Sequence, residues 1–239
     1  MIYARSFFDL QLAFAEGVAA LSGLSLARTL LDFTNLYIRF GLGREFDPAH
    51  PTWQAYLHGL SCEGDPGEWT YRFYLEQPEM TEAPGIVASI GCFSYAPLDA
   101  GRIRLHFRNA EPDGRSPLGL ERHEQRRAEL TALFAHARRT LLGPVRVVGA
   151  SWLYNLQAYR RLFPPSYLAT AHVITNRFRH MPLWGQFLNR YGQVREPLAR
   201  ELRERLCRQS RADDLDRCFP LPVIAAEAAA QYFYEFYGV

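Results

Sequence analysis

Two groups of polar side chains stand at the ends of predicted strands and could carry chemistry. The first is His106–Asn109, after a strand that alternates polar and apolar residues, and the second is Ser151–Asn155, after a nearly continuous apolar strand. If the two strands are parallel neighbours, both groups open onto one edge of the sheet, where α/β proteins bind their ligands. The alternative is structural: the two asparagines cap turns, and Trp152 and Tyr154 are half-buried core residues.

An imidazole and a phenol are the side chains in these groups that can move protons. We predict His106 as the general base and Tyr154 as a second catalytic residue. The remaining polar groups would bind substrate or ligand; they are Arg104, Arg108, Asn109, Ser151, Trp152 and Asn155. The histidines and cysteines show no metal-ligand spacing, so no metal site is predicted.

One side of the strand Arg102–Arg108 carries a row of like charges. Arginine and histidine alternate with Ile103, Leu105 and Phe107 along this strand. Such neighbours repel one another unless acids, water or an anion screen them. Asp213-Asp214 or Glu76 could supply the acids, and a bound phosphate or carboxylate could act through paired guanidinium contacts. The sequence leaves these alternatives open.

The composition excludes several classes of enzyme. All 27 cations are arginine, so the chain cannot form a lysine Schiff base, build a phosphate-loop lysine or use Ser-Lys catalysis. The formal charge of +2 predicts neither nucleic acid binding nor attachment to a membrane surface. Motifs typical of dinucleotide binding, of the hydrolase nucleophile elbow and of zinc proteases do not occur.

The cysteines and the apolar segments indicate the cellular compartment in which the protein is expected. Cys62, Cys92, Cys207 and Cys218 are scattered singly, as is typical of core residues in a reducing compartment. Asp9, Gln11 and Glu16 interrupt the N-terminal apolar stretch, which argues against a signal peptide. No uncharged apolar run reaches the length of a transmembrane helix. The sequence therefore predicts a soluble, cytoplasmic protein.

The order of elements predicts an α/β (α+β) fold with a mixed central sheet. A helical hairpin occupies residues 1–43, a sheet core residues 69–175 and a helical extension residues 182–239, all within a single domain, 1–239. A strand, a long helix and a second strand form a βαβ unit within the sheet core. The predicted strands are 69–76, 86–95, 102–108 and 145–153, followed by an extended stretch at 167–175. The predicted helices are 7–21, 26–40, 51–60, 118–142, 156–162, 184–191, 196–209 and 224–237.

From residue 69 onward this order resembles the acyl-CoA N-acyltransferase (GNAT) fold over about 110 residues. Asn155 and Ala158 are similar to an N-x-x-A step that the family often carries after its fifth strand. The pyrophosphate loop of the family, Q/R-x-x-G-x-G/A, is not matched, because the corresponding segment Arg115–Leu120 has one glycine. The resemblance implies transfer of an acyl group from acyl-CoA to an amine. Apart from this implied acyl-CoA, the sequence leaves the cofactor unknown.

Two other functions compete with an acyltransferase. The aromatic residues at 232, 233, 236 and 237 share one helical face and could join two copies of the chain in a non-catalytic assembly protein. The same helix could instead pack on its own core. A third function, binding of an anionic small molecule at an arginine-lined site, cannot be distinguished from an acyltransferase by sequence.

Overall fold

The computed structural model describes residues 2–77, 85–111 and 115–239. It divides into two compact units. The first consists of Met1–Thr81 and Thr175–Leu221, and the second of Glu82–Ile174 and Pro222–Val239. In the described residues of the first unit the regular elements are helices, apart from one isolated bridge between Leu188 and Val194. The second unit contains a six-stranded mixed sheet with its helices, which confirms the predicted fold class.

The helices of the first unit surround an aromatic core that includes Phe7, Trp53 and Trp184. Its α-helices are α1 (Arg5–Ser22), α2 (Leu26–Phe33), α3 (Leu36–Arg39), α4 (Pro51–Cys62), α5 (Pro66–Glu76) and α9 (Glu196–Cys207). Two 3-10 helices, Met181–Phe187 and Ala212–Cys218, complete the unit. The predicted N-terminal hairpin is confirmed in outline, but its second helix breaks at Thr34. There the Asn35 backbone N–H donates to the Gln11 side chain at 2.8 Å instead of continuing the helix.

The strand predicted over Trp69–Glu76 is wrong, because these residues belong to α5. Asp65 caps the helix by accepting the Glu68 backbone N–H at 3.0 Å, and Pro66 occupies the first turn. Trp69 and Phe73 are four residues apart and pack together, with ring centroids separated by 5.4 Å. The cap and this helical spacing outweigh the preference of the aromatic residues for strands.

The sheet of the second unit has the strand order β1-β2-β3-β4-β6-β5. Its strands are β1 (Ala88–Ile90), β2 (Phe93–Asp99), β3 (Arg102–Phe107), β4 (Arg146–Ser151), β5 (His172–Val173) and β6 (Ile224–Ala229). Strands β3 and β4 are parallel neighbours joined through the long helix α6 (His123–Thr140). The predicted βαβ unit is therefore confirmed. Every other neighbouring pair is antiparallel.

Three predicted elements of the second unit need correction. Residues 86–95 form a hairpin of β1 and β2, because Gly91 has a φ of +57° and turns the chain. The helix predicted over Ile224–Tyr237 is strand β6 followed by α10 (Ala230–Tyr237), so the C-terminal part is not wholly helical. The extended stretch 167–175 contains the end of α8 (Pro165–Leu168) and the short β5. Residues 224–229 form a strand rather than the predicted helix because β6 pairs with β4 over six residues.

The aromatic residues of α10 divide between the core and the surface. Phe233 and Tyr237 are buried and stack on Phe134 of α6, with centroids at 4.6 and 5.4 Å. Tyr232 is 48% exposed. Half of the face predicted as a dimer contact is thus core of this unit, and the dimer itself stays a prediction.

The search for membrane spans among the described residues gives a mixed result. No single helix is both long and apolar enough to cross a membrane. The bent pair α1 and α2, with 119° between its two helices, passes the length and composition test when taken together.

Candidate functional site

Strands β3 and β4 separate before they end. Their parallel register comprises three pairs, of which Arg104 with Val148 is the last. Beyond it β3 continues to Phe107 against β2, and β4 continues to Ser151 against β6. Residues 105–107 of β3 and residues 149–151 of β4 therefore face each other without pairing. We call this opening at the carboxyl ends of the two strands the strand gap.

The two sides of the sheet differ in character around the strand gap. One side, the helix face, carries Ile103, Leu105, Val147 and Gly149 and packs against α6 and α10. The opposite side, the arginine face, carries Arg102, Arg104, His106, Arg146, Val148 and Glu227. A group held in the strand gap would therefore have the buried helix face on one side and the arginine face on the other.

The structure places the two predicted catalytic residues on opposite faces. His106 lies on the arginine face beside the strand gap, opposite Ser94 of β2. Tyr154 lies on the helix face, where its hydroxyl shares a 2.6 Å hydrogen bond with the hydroxyl of Tyr167. The Tyr154 side chain is 2% exposed, and burial raises its pKa well above the usual value. Tyr154 therefore remains a neutral phenol, which can donate a proton but cannot act as a base near neutral pH.

Gly149 brings the tyrosine hydroxyls to the apex of the strand gap. It is the first β4 residue beyond the last parallel pair. A Cβ atom at this position would lie 2.0 Å from the Tyr154 hydroxyl oxygen and 2.2 Å from that of Tyr167. Only glycine leaves room for the two phenols, so the polar end of Tyr154 touches the backbone where the strands part.

The predicted binding residues at the strand ends mostly make local hydrogen bonds. Asn109 accepts the Glu111 backbone N–H at 3.1 Å, and Ser151 accepts that of Leu153 at 3.1 Å. Asn155 donates to the carbonyl oxygens of Trp152 and Pro222 at 2.8 and 2.9 Å. These side chains fix the turns that follow β3 and β4. Trp152 begins the 3-10 helix Trp152–Asn155.

The backbone of Arg108 holds the end of β3 against the turn between β1 and β2. Its N–H donates to the carbonyl oxygen of Cys92 at 2.9 Å. This bond lies one residue beyond the last residue of β3, so the strand edge stays ordered where the strand gap opens.

Acids of the same unit screen most of the arginine face. Arg102 makes a paired contact with Asp99, and Arg146 pairs with Glu227. Two of the acids suggested by sequence have other partners, because Asp213 and Asp214 pair with Arg211 and Arg217. Arg104 is half-buried and forms no ion pair with the described residues.

The loop before α6 turns carbonyl oxygens toward an arginine. Arg161 Nη2 lies 3.3 Å from the carbonyl oxygens of both Leu118 and Gly119. The Gly119 N–H is used within the loop, donating to the Ser116 carbonyl oxygen at 3.2 Å. The Gly119 N–H is therefore not free to bind a phosphate at the start of the helix. The Arg161 guanidinium is the anion-attracting group at this position instead.

Next to Arg161 lies an open groove of about 520 Å³. Its lining combines cations with apolar rings and includes Arg160, Arg161, Phe163, Pro165 and Phe236. Cationic and aromatic walls of this kind suit a flat, negatively charged group.

Sequence reasoning missed a buried charged cluster in the second unit, the Arg126 network. Arg126, on α6, is 1% exposed and contacts Glu111, Glu129 and the thiol of Cys92. The Glu129 carboxylate also accepts the Cys92 backbone N–H at 3.0 Å. Arg122 adds a second cation 3.3 Å from Glu111, so two cations face two carboxylates. Burial raises the pKa of the Cys92 thiol, which argues against a nucleophilic role for it.

The first unit contains a second buried polar cluster around His180. The His180 ring is 0% exposed and stacks on Phe33 at 5.1 Å. Its Nε2 lies 2.8 Å from Asp216 Oδ1, without the orientation of a hydrogen bond. Arg179 donates to the same carboxylate at 2.8 Å. Burial lowers the pKa of His180, and the His180 and Arg179 contacts hold the pKa of Asp216 below its usual value against the effect of burial.

We expect the stability of the protein to fall in two steps as the pH is lowered. The unfolded chain takes up a proton at His180 near pH 6.5 while the folded chain does not, so unfolding is favoured below that pH. The contribution of Asp216 is present above pH 3.8 and is lost as the pH falls through its folded pKa. Urea denaturation of wild type and His180→Gln from pH 7.5 to 3 measures both steps.

The control for this experiment is the exposed histidine of α4, His58. The variant His180→Gln should lose the fall in stability between pH 7 and 5, whereas His58→Gln should keep it. An unchanged pH dependence in His180→Gln would show that another group causes the fall.

Comparison of the chain with protein-family models, with curated proteins and with solved structures found no match. The geometry of the site is therefore the basis for a functional proposal.

Proposed function

We propose that the second unit binds an acyl-CoA in the strand gap and transfers its acyl group to an amine. The observation that carries the proposal is the separation of β3 from β4 after Arg104 and Val148. Ligands of α/β proteins bind at the carboxyl ends of strands. Here the opening lies within the sheet itself, between two strands that are each held in place on their outer side.

The pantetheine arm of CoA suits this opening chemically. The arm is narrow and extended and contains two amide groups. The edges of 105–107 and 149–151 offer backbone N–H and C=O groups that do not pair with each other. An extended chain with amides can join such edges through main-chain hydrogen bonds, as peptides do at open sheet edges. A backbone N–H in the gap would also polarise the thioester carbonyl.

The placement of His106 and Tyr154 supports a direct transfer. The amine approaches from the arginine face and attacks the thioester carbon, forming the C–N bond and losing a proton to His106. The tetrahedral intermediate then breaks the C–S bond. The departing thiolate accepts a hydrogen bond from the Tyr154 hydroxyl on the helix face, which stays neutral because burial raises its pKa, and it takes up the proton that His106 removed from the amine. The products are an amide and a free thiol.

The nucleotide end of the donor would rest on arginine rather than on a glycine-rich loop. Arg161 stands at the loop before α6, and the adjacent groove combines Arg160 and Arg161 with Phe163 and Phe236. Guanidinium groups bind phosphate oxygens in pairs. The four cysteines are all free thiols. We propose that the protein acts in the cytoplasm, a reducing compartment in which cysteines stay unpaired.

Acyl transfer to a panel of amines tests the proposal, with release of CoA thiol as the readout. We expect His106→Gln to lower kcat/KM by about 10²–10⁴-fold, the usual contribution of a positioned base. The matched control is His172→Gln on the exposed strand β5, which should keep wild-type activity. Circular dichroism and thermal unfolding establish that both variants are folded.

Titration with acetyl-CoA and with acetyl-pantetheine separates the two parts of the donor site. Both compounds should bind the wild type, with CoA the tighter. The variant Arg161→Gln should weaken CoA and leave acetyl-pantetheine unchanged. Failure of the wild type to bind any acyl-CoA would refute the proposed function.

A further inference from the structure

Arg104 differs from the other two strand arginines of the arginine face in its electrostatic surroundings. Arg102 is neutralised by Asp99 and lies 3.9 Å from Glu227, while Arg146 pairs directly with Glu227. Arg104 has no carboxylate within ion-pair distance among the residues that the structure describes. Among the described residues it is therefore a cation without a counter-ion, on strand β3.

The Arg104 guanidinium is also partly removed from water. Its Nε atom is buried and has no hydrogen-bond partner within the described chain. Its cross-strand neighbours are Ala96 and Val148, which offer no polar side chain. Burial, with a smaller contribution from the positive charge of Arg102, lowers the pKa of Arg104. A half-buried cation in this setting is stabilised by an anion that supplies the missing charge and hydrogen bonds.

The position of Arg104 relates this charge to the strand gap. Arg104 is the last β3 residue paired with β4, so it lies at the apex of the gap. His106 is on the same face, about 7 Å further along the strand at the usual rise per residue. An anionic group bound by Arg104 would therefore place the rest of its molecule beside the predicted general base.

We propose that Arg104 binds the carboxylate of the acceptor, so that the acceptor is an amine bearing a carboxylate, as in amino acids. This inference rests on the proposed function, because it identifies the second substrate of the same site. A carboxylate fits better than a phosphate dianion, since Asp99 and Glu227 already neutralise the flanking arginines and leave one positive charge. The planar guanidinium matches a carboxylate through two parallel hydrogen bonds.

The test compares amino acids with their carboxamides as acceptors, with acetyl-CoA as donor. The ratio of kcat/KM for acid over amide should be at least tenfold larger in the wild type than in Arg104→Gln. Arg104→Lys keeps the charge without the paired hydrogen bonds and should give an intermediate ratio. The control Arg146→Gln removes a cation from the same face that already has a partner, and it should retain the wild-type ratio.

A second measurement does not depend on transfer. N-acetyl amino acids and their amides are titrated into wild type and Arg104→Gln by calorimetry, without donor. The carboxylates should bind the wild type at least tenfold more tightly than the amides, and the difference should vanish in Arg104→Gln. Equal binding of acids and amides, or a preference that survives in Arg104→Gln, would overturn the inference whether or not acyl transfer occurs. Arg104-dependent carboxylate binding in a protein that does not take acyl-CoA would refute the proposed function and keep the anion site.

Discussion

Replacement of Arg126 by methionine should lower the free energy of unfolding by about 3–5 kcal/mol, the usual effect of removing one partner from a buried ion pair. The Arg126 side chain is 1% exposed and contacts both Glu111 and Glu129, which are themselves 7% and 11% exposed. Methionine fills the space of the arginine stem but leaves two carboxylates close together, with only the cation Arg122 beside Glu111. Urea denaturation followed by circular dichroism measures the change.

Two further variants show whether the loss arises from unpaired charge. The triple variant Arg126→Met, Glu111→Gln, Glu129→Gln removes the three most buried charges and leaves only the partly exposed Arg122. It should recover a large part of the stability, because no buried carboxylate then lacks its partner. Arg139→Met changes an exposed arginine of the same helix and should stay within about 0.5 kcal/mol of wild type. Equal free energies of unfolding for Arg126→Met and Arg139→Met would mean that the Arg126 network does not stabilise the unit.

Substitution of Gly149 by alanine should destabilise the protein by about 1–3 kcal/mol, as is usual for an added methyl group in a filled core. The new Cβ would lie 2.0 Å from the Tyr154 hydroxyl oxygen. The Tyr154 ring also packs against Tyr159 and Phe163, with centroids at 5.1 and 5.7 Å. The phenol therefore has little freedom to withdraw, and β4 has to shift at the apex of the strand gap.

A double-mutant design isolates this steric effect. In the background Tyr154→Phe, Tyr167→Phe both hydroxyl oxygens are gone, and the nearest remaining ring atom is Tyr154 Cζ, 2.9 Å from the added Cβ. The alanine should then be less destabilising than in the wild type. Gly64→Ala is the matched control, because a Cβ at Gly64 has no atom within 4 Å. An equal loss for Gly149→Ala in both backgrounds would exclude the phenol contact as its cause.

The βαβ unit could be predicted because its signals are local. Alternation along Arg102–Phe107 indicates a strand with one buried side. The apolar run around Val147 correctly indicates a strand, but the expected burial on both sides is wrong, because Arg146 and Ala150 are exposed. The stripe Leu130, Leu133, Phe134, Ala137 and Leu141 predicts the buried side of the long helix. The first four residues are buried in α6, while Leu141 lies just beyond its end and is half-buried. Each pattern depends on the geometry of one element, which neighbouring residues determine.

Two features of the candidate site could not be predicted in the same way. The end of the β3–β4 register at Arg104 and Val148 has no local signal, because both strands continue on their outer partners β2 and β6. Arg126 falls on the polar side of the predicted helix, and periodicity assigns it to the surface. It is buried because Glu111 and the Cys92 turn, 15 and 34 residues away in sequence, meet it there.

By itself, the sequence determined which segments are amphipathic, which classes of lysine chemistry are excluded, and that two strands flank a long helix. Tertiary structure alone decided that these strands part at their carboxyl ends, that Arg104 has no carboxylate partner among the described residues, and that Arg126 is enclosed by acids. The physical reason is that amphipathic periodicity follows from backbone geometry within one element. Strand register, counter-ions and burial of charge depend instead on groups that are distant in the chain and meet only after folding.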